Sequence, residues 1–99
     1  MKIEKITDNT SITIKISGEL TSSTSDELSY EVKNAIHETD LLILDIENLE
    51  YAASAGLRVF LEAHKLMAAK NGKLTILNTQ EEIMRIFEIT GFCDIFDLK

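Results

Sequence analysis

The chain has 99 residues, 44% apolar and 27% charged, which suits one domain over residues 1–99 with a single modest core. A formal net charge of −7 leaves no basic footprint, which speaks against direct DNA or RNA binding and against anionic membranes, and favours a partner with a basic surface. No apolar run nears the ~20 residues of a membrane span, the start MKIEKITDN lacks a secretory core, and the lone Cys93 rules out an internal disulfide, so a cytoplasmic protein is expected.

Ile3 to Ile6 reads as a first strand, followed by an Asp8-Asn9 turn. Ile12, Ile14 and Ile16 then alternate with Ser11, Thr13, Lys15 and Ser17, a half-buried strand that pairs with the first as a hairpin and ends at Gly18. Thr24 with Glu27 forms a capping-box pattern, and Leu28, Val32, Ala35 and Ile36 recur at helical spacing as far as His37. Leu41 to Ile46 is apolar except for Asp45 and predicts a central strand covered on both faces.

Ser54 is expected to cap a second helix, with Leu57, Leu61, His64 and Ala68 on one stripe and Phe60 and Met67 beside it. Asn71-Gly72 stops that helix. Leu74, Ile76 and Leu77 mark a fourth strand. Thr79 with Glu82 is a second capping-box pattern, Ile83, Ile86 and Phe87 face a third helix inward, and Thr90-Gly91 ends it. Ile95, Phe96 and Leu98 form a short last strand or a packed tail.

The order β-β-α-β-α-β-α predicts an α/β fold. Its sheet is mixed and mostly parallel, with four or five strands and an antiparallel hairpin at the N-terminal edge, packed against three or more helices.

Machinery for catalysis is missing from the pattern. His37 and His64 fall on different helices, without metal-ligand spacing or a cysteine cluster. Neither a dinucleotide fingerprint nor a phosphate-binding GxxxxGK[ST] loop occurs, so no cofactor is expected. AASAG lacks the glycine that a nucleophile elbow places two residues before its serine. Asp45, near its strand end, is expected to accept backbone N–H groups of the following loops.

Ser54 carries two readings: a plain N-cap, or a hydroxyl that takes a phosphate where a helix start can accommodate it. Four segments bear on the choice. SGELTSSTSDEL follows the pattern GE(L/I)-D-x-x-(T/S)-A-x-x-L. LLILDIENLEYAASAGLRVFLEAHK follows D-(L/F)-S-x-L-x-(Y/F)-(I/M)-D-S-(T/S)-G-L. NGKLTILN matches a G-G-x-L strand, and IMRIFEITGFCDIFDL matches a terminal V-x-R-(L/I)-F-x-x-(T/S)-G-(L/F)-x-x-(I/L)-F segment. Together, in order and across essentially the whole chain, they resemble the STAS domain family of bacterial anti-sigma factor antagonists.

That resemblance implies a regulatory binding module and no enzyme. It implies Ser54 as phosphoacceptor, an anti-sigma factor with serine kinase activity as partner, and a phosphatase that restores binding. It places the partner over the loop from Gly18 to Thr24, the loop from Glu50 to Ala55 and the first turns of the second helix, with Glu19, Thr21, Ser22, Ser23, Thr24, Tyr51, Ala53, Ala55, Gly56 and Arg58 as contacts. The chain departs from the family pattern at Ala53, where aspartate is usual, and at Thr21, where many members also carry aspartate. The alternatives are a STAS scaffold that is not phosphorylated, or a soluble subunit of a signalling or lipid-transport complex.

Overall fold

The structure, a computed structural model, describes residues 1–99. Its elements are β1 (Lys2–Thr7), β2 (Ile12–Leu20), α1 (Ser25–Ile36), β3 (Leu41–Ala52), α2 (Ser54–Ala69), β4 (Lys73–Leu77), α3 (Glu81–Thr90), a 3-10 turn (Phe92–Asp94) and β5 (Asp97–Leu98). The five strands lie in the order β1-β2-β3-β4-β5, with β1 antiparallel to β2 and every other neighbour pair parallel. The expected mixed sheet with an antiparallel edge hairpin is therefore present, and the tail adds a short fifth strand.

Each parallel connection moves one strand further in the same direction. Such crossovers are right-handed, so all three helices fall on one face of the sheet. The burial pattern agrees: Ile12, Ile14, Ile16, Leu42, Leu44, Ile46, Leu74 and Ile76 are buried beneath the helices. Leu41, Ile43 and Asp45 point to the other face and stay half-buried, which corrects the expectation that β3 is covered on both sides. Ile43 is shielded by Thr13 and Thr75 across the ladder, so an apolar residue is tolerated there without a helix above it.

Several local expectations change. β2 does not end at Gly18: it continues to Leu20, with Gly18 at φ +91° beside a register shift, a geometry suited to a residue without Cβ. The capping boxes do not form. The Thr24 hydroxyl accepts the Thr21 N–H at 2.8 Å and donates to the Glu19 carbonyl at 3.2 Å, so it braces the preceding loop instead. Gln80, not Thr79, is the N-cap of α3, and the Thr79 hydroxyl is buried without a partner. The helix stops are as expected, at Asn71 (φ 61°) and Gly91 (φ 81°).

The stripe of α2 is also rotated. Gly56, Leu57, Val59, Phe60, Ala63 and Met67 are buried, whereas Leu61 and His64 are half-buried and Ala68 is exposed. The helix sits between α1 and α3, so its flanks as well as its underside are covered. Phe60, Phe87, Phe96 and Phe92 form a chain of edge-to-face contacts with centroids 6.4, 5.5 and 5.3 Å apart, which seals α3 and the tail against α2. At the far end, Lys70 Nζ donates to the carbonyls of Ile36 (2.6 Å) and Thr39 (3.0 Å), tying the end of α2 to the end of α1.

Asp97 anchors β5. Its carboxylate accepts the Thr75 hydroxyl at 2.9 Å and lies 3.2 Å from Lys73 Nζ and 3.6 Å from Lys99 Nζ. The Thr75 and Lys73 hydrogen bonds hold its pKa below the usual aspartate value. A lowered folded pKa contributes stability above about pH 4 and loses it as the pH falls through the folded value. Asp97→Asn should therefore melt lower than the parent at neutral pH, with the gap closing as the pH falls below about 4. Melts by circular dichroism across that range check it, and a gap that persists at the acid end would rule the charge out as the cause.

Candidate partner-docking site

The site forms where β2 and β3 end side by side. Glu19 pairs with Tyr51 and Leu20 with Ala52 across the parallel ladder, and the Ala53 N–H donates to the Leu20 carbonyl at 2.8 Å. The loop after β2 and the start of α2 are thereby held next to each other. Within that loop the Ser25 N–H donates to the Thr21 carbonyl at 2.8 Å, and the hydroxyls of Thr21 and Ser23 lie 2.9 Å apart. Ser22 and Ser23 remain exposed on top, and Thr21 and Thr24 are half-buried beneath them.

Ala53, in extended geometry (φ −81°, ψ 169°), is the N-cap of α2, so Ser54 is the first helical residue rather than the cap. The expectation that Ser54 caps the helix is corrected by this one-residue offset. β3 pairing extends to Ala52, and the Ala53 carbonyl accepts the N–H groups of Gly56 (2.9 Å) and Leu57 (3.1 Å). The N–H groups of Ser54 and Ala55 have no backbone acceptor. The Ser54 side chain is exposed and its hydroxyl is free of intramolecular hydrogen bonds.

Tyr51 is 52% exposed beside Ser54, and Arg58 is exposed one turn further along α2. Ala53 and Ala55 are half-buried. Gly56, expected as a contact, is buried instead: a Cβ there would lie 2.4 Å from Leu20 Cγ, so its role is to let α2 start against the end of β2. Glu19, Asp26, Glu27 and Glu50 are exposed at this end of the sheet, and so is Arg58.

The fold adds two residues that spacing along the chain does not reveal. Thr90 from the end of α3 and Phe92 from the 3-10 turn that follows join Ser54, Leu57, Arg58 and Leu61 around a shallow hollow of about 220 Å³. No signal in the sequence ties residue 54 to residue 92; the Phe60–Phe87–Phe96–Phe92 packing does so. Asp45 acts as expected in part. It accepts the Glu47 N–H at 3.1 Å, and its second donor is the side chain of Asn78, also at 3.1 Å. No group of three or more His, Cys, Asp or Glu side chains is placed to hold a metal ion, and no helix is long and apolar enough to cross a membrane.

A one-sided α/β layer that presents an exposed serine at the junction of β3 and α2, beside the loop after β2, offers a candidate protein-docking surface; the expected loop from Glu50 to Ala55 is absent, because β3 runs on to Ala52 and Ala53 alone joins it to α2. The chain belongs to the STAS domain family, whose model matches residues 2–99. It is 33% identical to the anti-sigma-B factor antagonist of Staphylococcus aureus, with 100% of this chain and 93% of that protein covered. It is 32% identical to the anti-sigma-B factor antagonist of Listeria monocytogenes, covering 97% of this chain and 83% of the relative. Among solved structures, the Bacillus cell fate determinant SpoIIAA in its phosphorylated form matches 99% of this chain and 91% of its own, at 18% identity and a TM-score of 0.79. This last likeness is one of fold.

Proposed function

We propose that the chain is an anti-sigma factor antagonist: it binds an anti-sigma factor that is also a serine kinase, and a phosphate on Ser54 ends that binding. The observation that carries the reading is the placement of Ser54, exposed and with an unbonded hydroxyl, at the start of α2 next to the loop after β2. The relatives named anti-sigma-B factor antagonists support the partner class.

The chemistry is that of the kinase, and this chain is the substrate. A bond forms between Ser54 Oγ and the γ-phosphorus of ATP as the bond to the ADP oxygen breaks, and the serine proton passes to a base on the kinase. The product carries ~1.5 to 2 negative charges and three acceptor oxygens. The unpaired N–H groups of Ser54 and Ala55 can receive it, so the fold tolerates the group while a partner seated over the serine does not. Hydrolysis by a phosphatase regenerates the hydroxyl and the binding surface. The acidic residues around the site suit a partner with a basic contact surface, and a cytoplasmic location fits an ATP-dependent kinase.

The test is capture of partners from the native cell with the full chain, followed by intact mass. Co-purification of an ATP-binding kinase, together with a species heavier by about 80 Da that maps to Ser54, is the expected result. A stable complex whose chain never gains that mass in the presence of ATP would make this a constitutive scaffold instead, the reading that Ala53 in place of the usual aspartate favours.

A further inference from the structure

We infer that Arg58 is the intramolecular partner of the phosphate on Ser54, so that modification both blocks the docking surface and withdraws a cation from it. The pairing rests on the proposed function, because it presupposes a phosphate on that serine.

Arg58 lies four residues after Ser54 on α2, and both are exposed on the same hollow. Side chains at this spacing are neighbours on a helix surface, with Cβ atoms roughly 5–6 Å apart. Helical side chains also sweep back toward the N-terminus, which carries the guanidinium over the turn that bears Ser54. An acidic group N-terminal to a basic one at this spacing is the favoured orientation.

The guanidinium is uncommitted. Arg58 takes part in no ion pair or side-chain hydrogen bond, unlike Arg85, which holds Glu81 at 2.8 Å. Its own candidate acid at the next turn, Glu62, is taken by Lys33 from α1 at 3.2 Å. The first turn of α2 holds no acidic residue, and neither does the N-cap position, which is Ala53. A phosphate on Ser54 would offer Arg58 an anion on this helix face that no other cation already holds. The planar fork of arginine matches two phosphate oxygens, a geometry lysine lacks. Leu57, Leu61 and Phe92 line the hollow behind the pair and give the arginine stem an apolar wall.

Arg58 is thus a positioning residue with two allegiances. Without phosphate it is free for a carboxylate of the partner; with phosphate it folds back onto its own helix.

Phosphoserine installed at position 54 during translation tests this without any kinase. The second ionisation of the phosphate, followed by phosphorus NMR, should come about 0.15–0.4 pH unit lower in the phosphorylated parent than in phosphorylated Arg58→Gln. Arg58→Lys should fall between them, and about 1 M salt should narrow the gap. Equal ionisation in the parent and in Arg58→Gln would overturn the pairing. Because the phosphate is installed rather than transferred, failure of the native kinase to modify Ser54 would count against the proposed function alone.

Discussion

Ser54→Asp should bind the anti-sigma partner at least about tenfold more weakly than the parent, a loss of about 1.4 kcal/mol, while its fold is kept or slightly strengthened. The two effects separate because Ser54 occupies the first helical position and its hydroxyl bonds to nothing in the chain. An aspartate there meets the positive end of α2 and should add about 0.3–1 kcal/mol of stability. Under a docked partner the same charge must be desolvated, and it also draws on Arg58. Ser54→Ala is the control. Since Ala53 is the N-cap, losing the hydroxyl should change stability by no more than about 0.5 kcal/mol, should leave binding intact and should abolish phosphate uptake. Calorimetry against the partner and urea unfolding of the free chain measure both quantities. Equal affinities for the two variants would remove Ser54 from the interface.

The second large effect is expected at Gly56. A Cβ added there would lie 2.4 Å from Leu20 Cγ and 2.5 Å from Leu20 Cδ2, and Leu20 is fully buried, with nowhere to swing. Alanine ordinarily improves a helix over glycine by about 1 kcal/mol. Here overpacking costs about 1–3 kcal/mol, so Gly56→Ala should instead be net destabilising, by up to about 2 kcal/mol. Leu20→Ala alone should cost roughly 2–5 kcal/mol by leaving a cavity. The double variant should cost less than the sum, since the new methyl enters the space the leucine vacates, with a coupling of about 0.5–3 kcal/mol. Denaturant unfolding of the four proteins completes the cycle. Additive costs, or a Gly56→Ala protein more stable than the parent, would show that the helix start tolerates a side chain. The proposed phosphorylation should respond to the same contact, because shifting the first turn of α2 would move Ser54 relative to the loop that ends at Thr24.

Much of the architecture was legible in the chain because it is written in local periods. Alternation at Ile12, Ile14 and Ile16, helical spacing from Leu28 to Ile36, and the stops at Asn71 and Gly91 all report backbone conformation within a few residues, and each element appears where its pattern stands. The capping assignments at Thr24, Ser54 and Thr79 fared worse. A hydroxyl near a helix start can serve several donors, and its choice depends on how the preceding loop enters. Thr24 braces the loop below it, Thr79 is left without a partner, and Ser54 begins the helix one residue after its cap.

By itself, then, the sequence determined the order of strands and helices, the mixed sheet with its antiparallel edge, and the strand-to-helix junction that sets Ser54 apart, since these arise from periodicity and turn chemistry within short windows. Only the tertiary structure decided which faces are covered. Three same-handed crossovers put every helix on one side, so β3 keeps an open face despite its apolar run. Burial on α2 is set by three neighbours at once, which turns its inner face toward Gly56, Phe60, Ala63 and Met67 and leaves His64 at the flank. The same packing brings Phe92 to the hollow beside Ser54, assigns Glu62 to Lys33, and leaves Arg58 free. Those relations join residues remote in the chain, and a local pattern carries no information about them.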